Sequence, residues 1–236
     1  MLLLFDLDGT LIDSAPGILA CIEHACTAMG VQAPAREVLR GWIGPPLGET
    51  FPGVVGSDPA RVEAAIAHYR ERFDRVGWRE HRVHAGVDAV IAAQRAAGHT
   101  LAIVTTKVRA QAERIVSSLP FGADFARVYG PATDARHCAK AQMIAQAMAD
   151  FDHCAQATRM VGDRHYDIAG ARACGVASCG VLWGYGSAGE LEAAGATALA
   201  EQPGALAAWL SDAAASVPAR GYPIDFRIRS PRTPVS

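Results

Sequence analysis

Two carboxylates directly follow the first apolar run of the chain. Leu2 to Phe5 have the length and composition of one fully buried strand, and Asp6 and Asp8 come immediately after it. Side chains two residues apart in an extended segment point to the same side, so both carboxylates are expected to face one ligand. Two carboxylates so close repel each other unless a cation lies between them, and Mg²⁺ prefers such oxygen ligands. An acidic turn that merely ends a strand would contain the same two residues.

Other polar residues follow later apolar runs in the same way. Thr105 and Thr106 end the run LAIVTT, Asp163 ends RMVGD, and Asp167 lies one helical turn beyond it. Lys140 opens a predicted helix between these two runs. Taken singly, a Thr at a strand end is commonly a β-branched strand residue, and a Lys on a helix is usually solvated. The carboxyl ends of parallel strands meet at the edge of the sheet where ligands bind, so these groups together predict a site there.

The elements that must position these groups alternate between helix and strand. After the first strand, apolar residues repeat at helical spacing over 18–29, with Ser14 as the predicted N-cap, and again over 62–76. A stretch rich in Gly and Pro, residues 41–59, separates these helices and is predicted to be a loop. Further elements are predicted in the order helix 85–98, strand 101–106, helix 108–118, strand 125–129, helix 139–149, strand 159–163, helix 167–173 and a strand within 178–187. This alternation predicts an α/β fold, a doubly wound parallel sheet with a small inserted all-helical domain.

Three regions are therefore expected along the 236 residues. Residues 1–13 and 83–216 form the α/β core, and residues 14–82 form the helical insertion. Residues 217–236 are rich in Pro and Arg and are predicted to be a tail, solvated or weakly docked.

Composition excludes several classes of protein. A formal net charge of −2 gives no basic surface for nucleic acid or anionic membranes, so neither partner is expected. No apolar stretch approaches the roughly 20 residues that span a bilayer, and no signal-peptide pattern opens the chain, so a cytoplasmic location is expected. The sequence leaves open whether the chain is a monomer or a homodimer.

The first motif resembles that of a known family. The string FDLDGTLIDS is similar to the opening motif of the haloacid dehalogenase-like hydrolases, many of which are Mg²⁺-dependent phosphatases. The other three family motifs are matched in order by LAIVTT, by Lys140 and by VGDRHYD, so the resemblance covers roughly residues 1–210. It implies a hydrolase that acts on a small-molecule phosphate ester, with Mg²⁺ as cofactor.

The resemblance also implies a role for each matched residue. Asp6 attacks phosphorus, and Asp8 is the general acid and base. Thr105 binds the phosphoryl oxygens, and Lys140 neutralises charge on the nucleophile and the phosphoryl group. The implied Mg²⁺ ligands are Asp6, the backbone carbonyl of Asp8, Asp163, and Asp167 largely through water. These roles agree with elementary chemistry, because a carboxylate can attack a phosphate dianion only when cations lie between them.

The insertion resembles the cap of the phosphoglycolate phosphatase branch. Gly44, Pro45 and Pro46 lie in the expected specificity loop, and Thr106 and Arg40 complete the predicted substrate-binding residues. Arg40 would pair with the carboxylate of phosphoglycolate. The alternative is that this loop only links two helices of the insertion.

Other features favour a different substrate. Lys140 lies in HCAKAQMI, Arg164 follows Asp163, and Trp183 and Tyr185 follow the last predicted strand. Together with IGPPL, these resemble a sub-branch that includes nucleotide phosphatases, so a 5′-nucleotidase is the alternative function. The two aromatic side chains would either stack on a base or pack beneath the cap.

Three further functions receive less support. Sugar-phosphate mutases share the second Asp but usually differ in the first motif. Signalling receiver domains phosphorylate an Asp on their third strand, not their first, and a binding module without catalysis would be expected to lack one of the acids or the lysine. Of the 22 Lys and Arg residues only Lys107 and Lys140 are lysines, and no role is assigned to Lys107.

Overall fold

The main sheet of the protein contains six parallel strands. The computed structural model describes residues 1–132 and 140–215, so the predicted tail 217–236 lies outside the described residues. The strands are β1 (Leu2–Phe5), β2 (Ile12–Asp13), β3 (Arg82–Val83), β4 (Thr100–Val104), β5 (Phe125–Tyr129), β6 (Thr158–Gly162), β7 (Ala177–Val181) and β8 (Ala198–Ala200). The helices are α1 (Ala15–Ala28), α2 (Arg36–Arg40), α3 (Leu47–Thr50), α4 (Pro52–Val55), α5 (Pro59–Arg75), α6 (Val87–Ala96), α7 (Arg109–Val116), α8 (Lys140–Asp150), α9 (His165–Ala173), α10 (Ala188–Ala194) and α11 (Pro203–Ala215).

The strand order confirms the predicted fold class. The main sheet runs β5-β4-β1-β6-β7-β8, and every pairing in it is parallel. Counted along the chain, this is the order 3-2-1-4-5-6 of a doubly wound sheet, whose ligand crevice lies where the order reverses. That point is next to β1, so the acids that follow β1 and β6 are placed at the crevice.

The side chains of β1 alternate between the two faces of the sheet, and both faces are buried. Leu3 and Phe5 belong to a large apolar cluster with α6, α7 and α11, whereas Leu2 and Leu4 belong to a smaller cluster with α8 and α9. All four side chains are at most 1 % exposed. Burial on both faces accounts for the continuous apolar run of this strand.

Helices α1 to α5 lie in the insertion, defined here as residues 14–82. The chain enters the insertion through β2 and returns to the core through β3, and these two short strands pair antiparallel. The buried face of α5 is formed by Val62, Ala65, Ile66, Tyr69 and Phe73, as the helical spacing predicts. These side chains belong to the same apolar cluster as Leu3 and Phe5 of the sheet. That residues 14–82 form a separate domain stays a prediction from the sequence.

Some local predictions are wrong. The stretch 41–59 is not entirely a loop, because it contains the short helices α3 and α4. Val76 is 38 % exposed and lies outside the buried face of α5. β4 ends at Val104, so Thr105 and Thr106 follow the strand instead of ending it. None of the helices in the described ranges is long and apolar enough to cross a membrane.

Candidate active site

Three buried carboxylates meet at the carboxyl edge of the sheet. Asp6 follows β1, Asp163 follows β6, and Asp167 lies in the first turn of α9. One oxygen of each lies within 4.8 Å of one oxygen of the others. Asp6 is 7 % exposed, and the other two are fully buried. The structure thus brings together the three acids predicted to hold a metal through their side chains.

Within residues 1–132 and 140–215, Lys140 is the cation in direct contact with this cluster. Its Nζ lies 3.0 Å from Asp6 Oδ1 and donates a hydrogen bond to Asp167 Oδ1. The lysine is 4 % exposed because it opens α8, which packs against α9. Three carboxylates against one ammonium leave two negative charges, which one divalent cation would balance.

Burial makes this cluster electrostatically costly. Burial, together with Asp6 and Asp167, raises the pKa of Asp163 well above its usual value. Burial also raises the pKa of Asp6 to about 6, even though Lys140 acts to lower it. Burial opposes the charge of Lys140 in turn, but Asp167 and Asp6 raise the pKa of that lysine. Charged groups out of water need such partners to remain charged.

The donor set fits a hard divalent cation. Asp6 Oδ1 is buried and, among the described residues, receives no hydrogen bond of good geometry. Carboxylate oxygens with this excess of negative charge are the ligands that Mg²⁺ prefers. The side chain of Asp8 lies outside the cluster, and the backbone carbonyl of Asp8 as a metal ligand stays a prediction.

The turn after β1 is shaped around Asp163. Gly9 has a φ of +83°, and a Cβ at this position would lie 2.2 Å from Asp163 Oδ2. Thr10 Oγ1 donates to Asp163 Oδ1 at 3.0 Å, and the backbone N–H of Tyr185 donates to Asp163 Oδ2 at 2.8 Å. The Gly-Thr pair of the first motif therefore positions the acid of the fourth.

Asp8 has its own lysine. Lys107 Nζ donates to Asp8 Oδ2 at 2.9 Å, and both side chains are largely buried. The backbone N–H of Lys107 donates to Thr105 Oγ1 at 3.3 Å. Sequence reasoning missed this contact, although the scarcity of lysine in the chain pointed to it.

A cavity of about 380 Å³ opens onto these groups. Its lining from the core includes Asp6, Asp8, Thr105, Thr106 and Lys107. Its lining from the insertion includes Trp42, Gly44, Pro45, Pro46, Leu47, Tyr69 and Arg70. Four predicted substrate-binding residues, Thr106 and Gly44 to Pro46, thus face the same space. Arg40 is exposed at the end of α2 and is not among the lining residues, so the structure does not bring it to the site.

Core side chains hold the loop of the insertion above the site. Thr106 Oγ1 donates to the carbonyl of Gly44 at 3.3 Å, and the Arg164 guanidinium donates to the carbonyl of Ile43. Arg164 Nε also donates to Glu190 Oε1 at 2.9 Å. Although burial acts to raise it, hydrogen bonds from His165 and Arg164 lower the pKa of Glu190 to about 2.

Trp183 and Tyr185 pack against the first motif and do not line the cavity. Trp183 Nε1 donates to the carbonyl of Thr10 at 3.0 Å. The Tyr185 hydroxyl donates to Asp13 Oδ1 at 2.8 Å and accepts from the backbone N–H groups of Ser14 and Ala15. Of the two predicted roles, packing is the one that these contacts support.

Comparisons with known proteins agree with this geometry. The family described as haloacid dehalogenase-like hydrolase matches residues 3–181. The chain is similar to a 5′-nucleotidase of Pseudomonas aeruginosa, with 38 % identity over 81 % of this chain and 86 % of that protein. It is also similar to the tyrosine-protein kinase PtkA of Mycobacterium tuberculosis, with 35 % identity over 79 % of this chain but only 64 % of that protein. A phosphoglycolate phosphatase of Cupriavidus necator is 32 % identical over 89 % of this chain and 93 % of its own length.

Solved structures show the same architecture. The crystal structure of a predicted phosphatase from Clostridium acetobutylicum superposes with a TM-score of 0.83 and 30 % identity. The match covers 89 % of this chain and 98 % of that chain. The family match extends from β1 through β7 and includes every residue of the carboxylate cluster. The chain belongs to the haloacid dehalogenase-like hydrolases.

Proposed function

We propose that the protein is a Mg²⁺-dependent phosphomonoester hydrolase that forms an aspartyl phosphate on Asp6. One observation carries this proposal: Asp6, Asp163 and Asp167 form a buried cluster, balanced only in part by Lys140, beside a cavity that Asp6 and Asp8 line. Family membership supports the reaction class. A small-molecule ester as substrate and a cytoplasmic setting remain predictions from the sequence.

In the first half of the reaction Asp6 is the nucleophile. One of its oxygens forms a bond to phosphorus, and the bond from phosphorus to the ester oxygen breaks. Asp8 gives a proton to the departing oxygen, which leaves as an alcohol. Lys140, within 3.0 Å of Asp6, offsets the repulsion between the carboxylate and the phosphate dianion.

In the second half the aspartyl phosphate is hydrolysed. Water attacks phosphorus, Asp8 takes the proton of that water, and the bond from phosphorus to the Asp6 oxygen breaks. Splitting one displacement into two lowers the barrier that each step must cross. Thr105 also lines the cavity, and its hydroxyl would donate to a phosphoryl oxygen.

Asp6, Asp163, Asp167 and the backbone carbonyl of Asp8 would hold Mg²⁺. Once bound, the ion supplies positive charge that stabilises the phosphoryl oxygens in the transition state. The chain itself orients the ligands, since Thr10 and the backbone of Tyr185 fix the Asp163 carboxylate.

We further propose that the insertion is a cap that selects the ester. The phosphoglycolate phosphatase among the relatives supports phosphoglycolate as one substrate. Arg40 is the predicted partner of the phosphoglycolate carboxylate, but it lies outside the cavity. The aromatic side chains of Trp42, Tyr69 and Tyr166 in the lining instead favour a larger substrate with a flat ring, as in a nucleoside 5′-monophosphate. The 5′-nucleotidase among the relatives supports this second candidate.

The test measures the activity of wild-type and variant protein on several esters, with and without Mg²⁺. The purified protein is assayed on phosphoglycolate and on nucleoside 5′-monophosphates, in EDTA and with added Mg²⁺. Activity should appear only with Mg²⁺, and Asp6→Asn should lower kcat by about 10⁴-fold or more because an amide cannot attack phosphorus. Asp88→Asn, an exposed acid in the first turn of α6, is the matched control and should leave kcat unchanged.

Rapid acid quench followed by intact-mass measurement tests the intermediate. Wild-type protein should carry one added phosphoryl group during turnover, and the Asp6→Asn variant should carry none. Turnover by Asp6→Asn near the wild-type rate, or full activity in EDTA, would refute the proposed mechanism.

A further inference from the structure

Asp6 and Asp8, the two acids that follow β1, are each paired with a lysine. Lys140 Nζ lies 3.0 Å from Asp6 Oδ1, and Lys107 Nζ lies 2.9 Å from Asp8 Oδ2. Of the 22 Lys and Arg residues in the chain these are the two lysines, and each contacts one of these two acids. The proposed reaction accounts for Lys140 and leaves Lys107 without a part.

The contact between Lys107 and Asp8 is one-sided. The lysine donates to Oδ2, whereas Asp8 Oδ1 is buried and has no hydrogen-bond partner among the described residues. The exposed fractions of the two side chains are 8 % for Lys107 and 14 % for Asp8. The carboxylate is therefore held by one oxygen, and both residues line the cavity.

Lys107 is itself held from two directions. Its backbone N–H donates to Thr105 Oγ1, so the turn after β4 fixes where the side chain starts. Its ammonium lies 5.0 Å from the ring centroid of Phe73 on α5, over the aromatic face. The core and the insertion thus both define the position of the charge that meets Asp8.

We propose that Lys107 is the positioning residue for Asp8. It holds the carboxylate by Oδ2 and so fixes the orientation from which Asp8 gives a proton to the ester oxygen in the first step and takes one from water in the second. This inference rests on the proposed function, because it assigns Asp8 the proton transfers. A compact ammonium suits the task, since an arginine fork would donate to both oxygens and leave neither to exchange a proton.

The leaving group separates this role from binding of the phosphoryl group. kcat/KM reports the steps up to release of the alcohol, and an alkyl ester needs a proton there, whereas p-nitrophenolate leaves without one. Proton transfer by a positioned acid contributes about 10²–10⁴-fold, and a misplaced group forfeits much of that. Phosphoglycolate and the nucleoside 5′-monophosphates are alkyl esters, and the one that wild-type protein hydrolyses with the higher kcat/KM is used here. Lys107→Met should lower kcat/KM on that alkyl ester about 10²-fold. On p-nitrophenyl phosphate the change should stay within about threefold, because that ester does not draw on the acid.

Three further variants complete the design. Lys107→Arg should stay as low as Lys107→Met on the alkyl ester despite its restored charge. Arg109→Met removes an exposed cation two residues away that pairs with Glu113, and it should leave kcat/KM unchanged on both esters. If Lys107 acts through Asp8, the double variant Asp8→Asn with Lys107→Met should have the same kcat/KM on the alkyl ester as Asp8→Asn alone.

Several outcomes would overturn the inference. Equal losses of kcat/KM on both esters would make Lys107 a ligand of the phosphoryl group, and unchanged kinetics would leave it no role. Lys107→Gln, whose neutral side chain ends one atom short of the ammonium, replaces Lys107→Met if that protein fails to unfold cooperatively, with the same expectation for the two esters. A wild-type protein inactive on every ester would overturn the proposed function and this inference with it, whereas active wild type with equal losses overturns this inference alone.

Discussion

At the scale of single residues, charge balance decides what the site can hold. Asp8 has Lys107 as its partner, whereas Asp6, Asp163 and Asp167 share the single charge of Lys140. The buried cluster is therefore the part of the site with negative charge left over. Burial, together with repulsion from Asp6 and Asp167, raises the pKa of Asp163, and a divalent cation at this point would offset both effects.

Metal removal tests this balance through stability. Mg²⁺ should raise the midpoint of thermal unfolding of metal-stripped protein, because a ligand of the folded state stabilises it by about 2.7 kcal/mol at 100 times its dissociation constant. Asp163→Asn should lose most of this shift, since one of three charged ligands becomes a neutral amide. Scanning calorimetry in EDTA and across a Mg²⁺ titration measures both shifts, with Asp88→Asn as control. An equal shift in the Asp163→Asn variant would place the ion elsewhere.

At the scale of elements, the start of α1 shows how the site and the insertion are joined. Ser14 occupies the N-cap position, as predicted, but its side chain makes no capping bond. The cap is formed instead by the Tyr185 hydroxyl, which accepts from the N–H groups of Ser14 and Ala15, and by Asp13, which accepts from Ala15. The turn after β7 thereby anchors the first helix of the insertion.

Two variants separate these capping contributions. Tyr185→Phe should lower the free energy of unfolding by about 1–3 kcal/mol, because the N–H of Ser14 loses its acceptor in a partly buried site. Ser14→Ala should stay within about 0.5 kcal/mol, since the hydroxyl contributes no cap. Urea unfolding of both variants against wild type measures the difference. A Ser14→Ala cost as large as that of Tyr185→Phe would mean that the serine is the cap after all.

At the scale of the whole molecule, one apolar cluster joins the insertion to the sheet. Phe51 and Phe73 of the insertion share it with Phe5 and Val161 of the sheet, and Trp42, Trp78, Trp183 and Trp209 pack against it. A shared core has no internal boundary at which one part could unfold first. Specificity in the insertion and chemistry in the core would then depend on the same packing.

A single unfolding transition is the expected consequence. Trp183→Phe with Trp209→Phe leaves two tryptophans in the insertion, and Trp42→Phe with Trp78→Phe leaves two in the rest of the chain. Fluorescence of each double variant should follow the same denaturant curve as its far-UV circular dichroism, because cooperative domains give coincident transitions. An earlier transition of the insertion tryptophans would show that it unfolds alone.

The sequence by itself determined the elements and the order of the reactive groups. A continuous apolar run predicted β1, and apolar residues at every third or fourth position predicted α1 and α5, because burial leaves a local pattern in each element. Acids placed directly after such strands had to meet at one edge, since parallel strands end together there. In the folded chain β6 pairs with β1, and this pairing brings Asp6, Asp163 and Asp167 into one cluster.

Only the tertiary structure decided which side chains meet across the chain. Lys107 and Asp8 are 99 positions apart, and Arg164 and Ile43 are 121 apart, so no local pattern records either contact. Arg40 is close in sequence to the loop that lines the cavity, yet it ends a helix on the exposed side. Which face of a short element turns inward depends on the packing of everything around it, and that information exists only once the chain has folded.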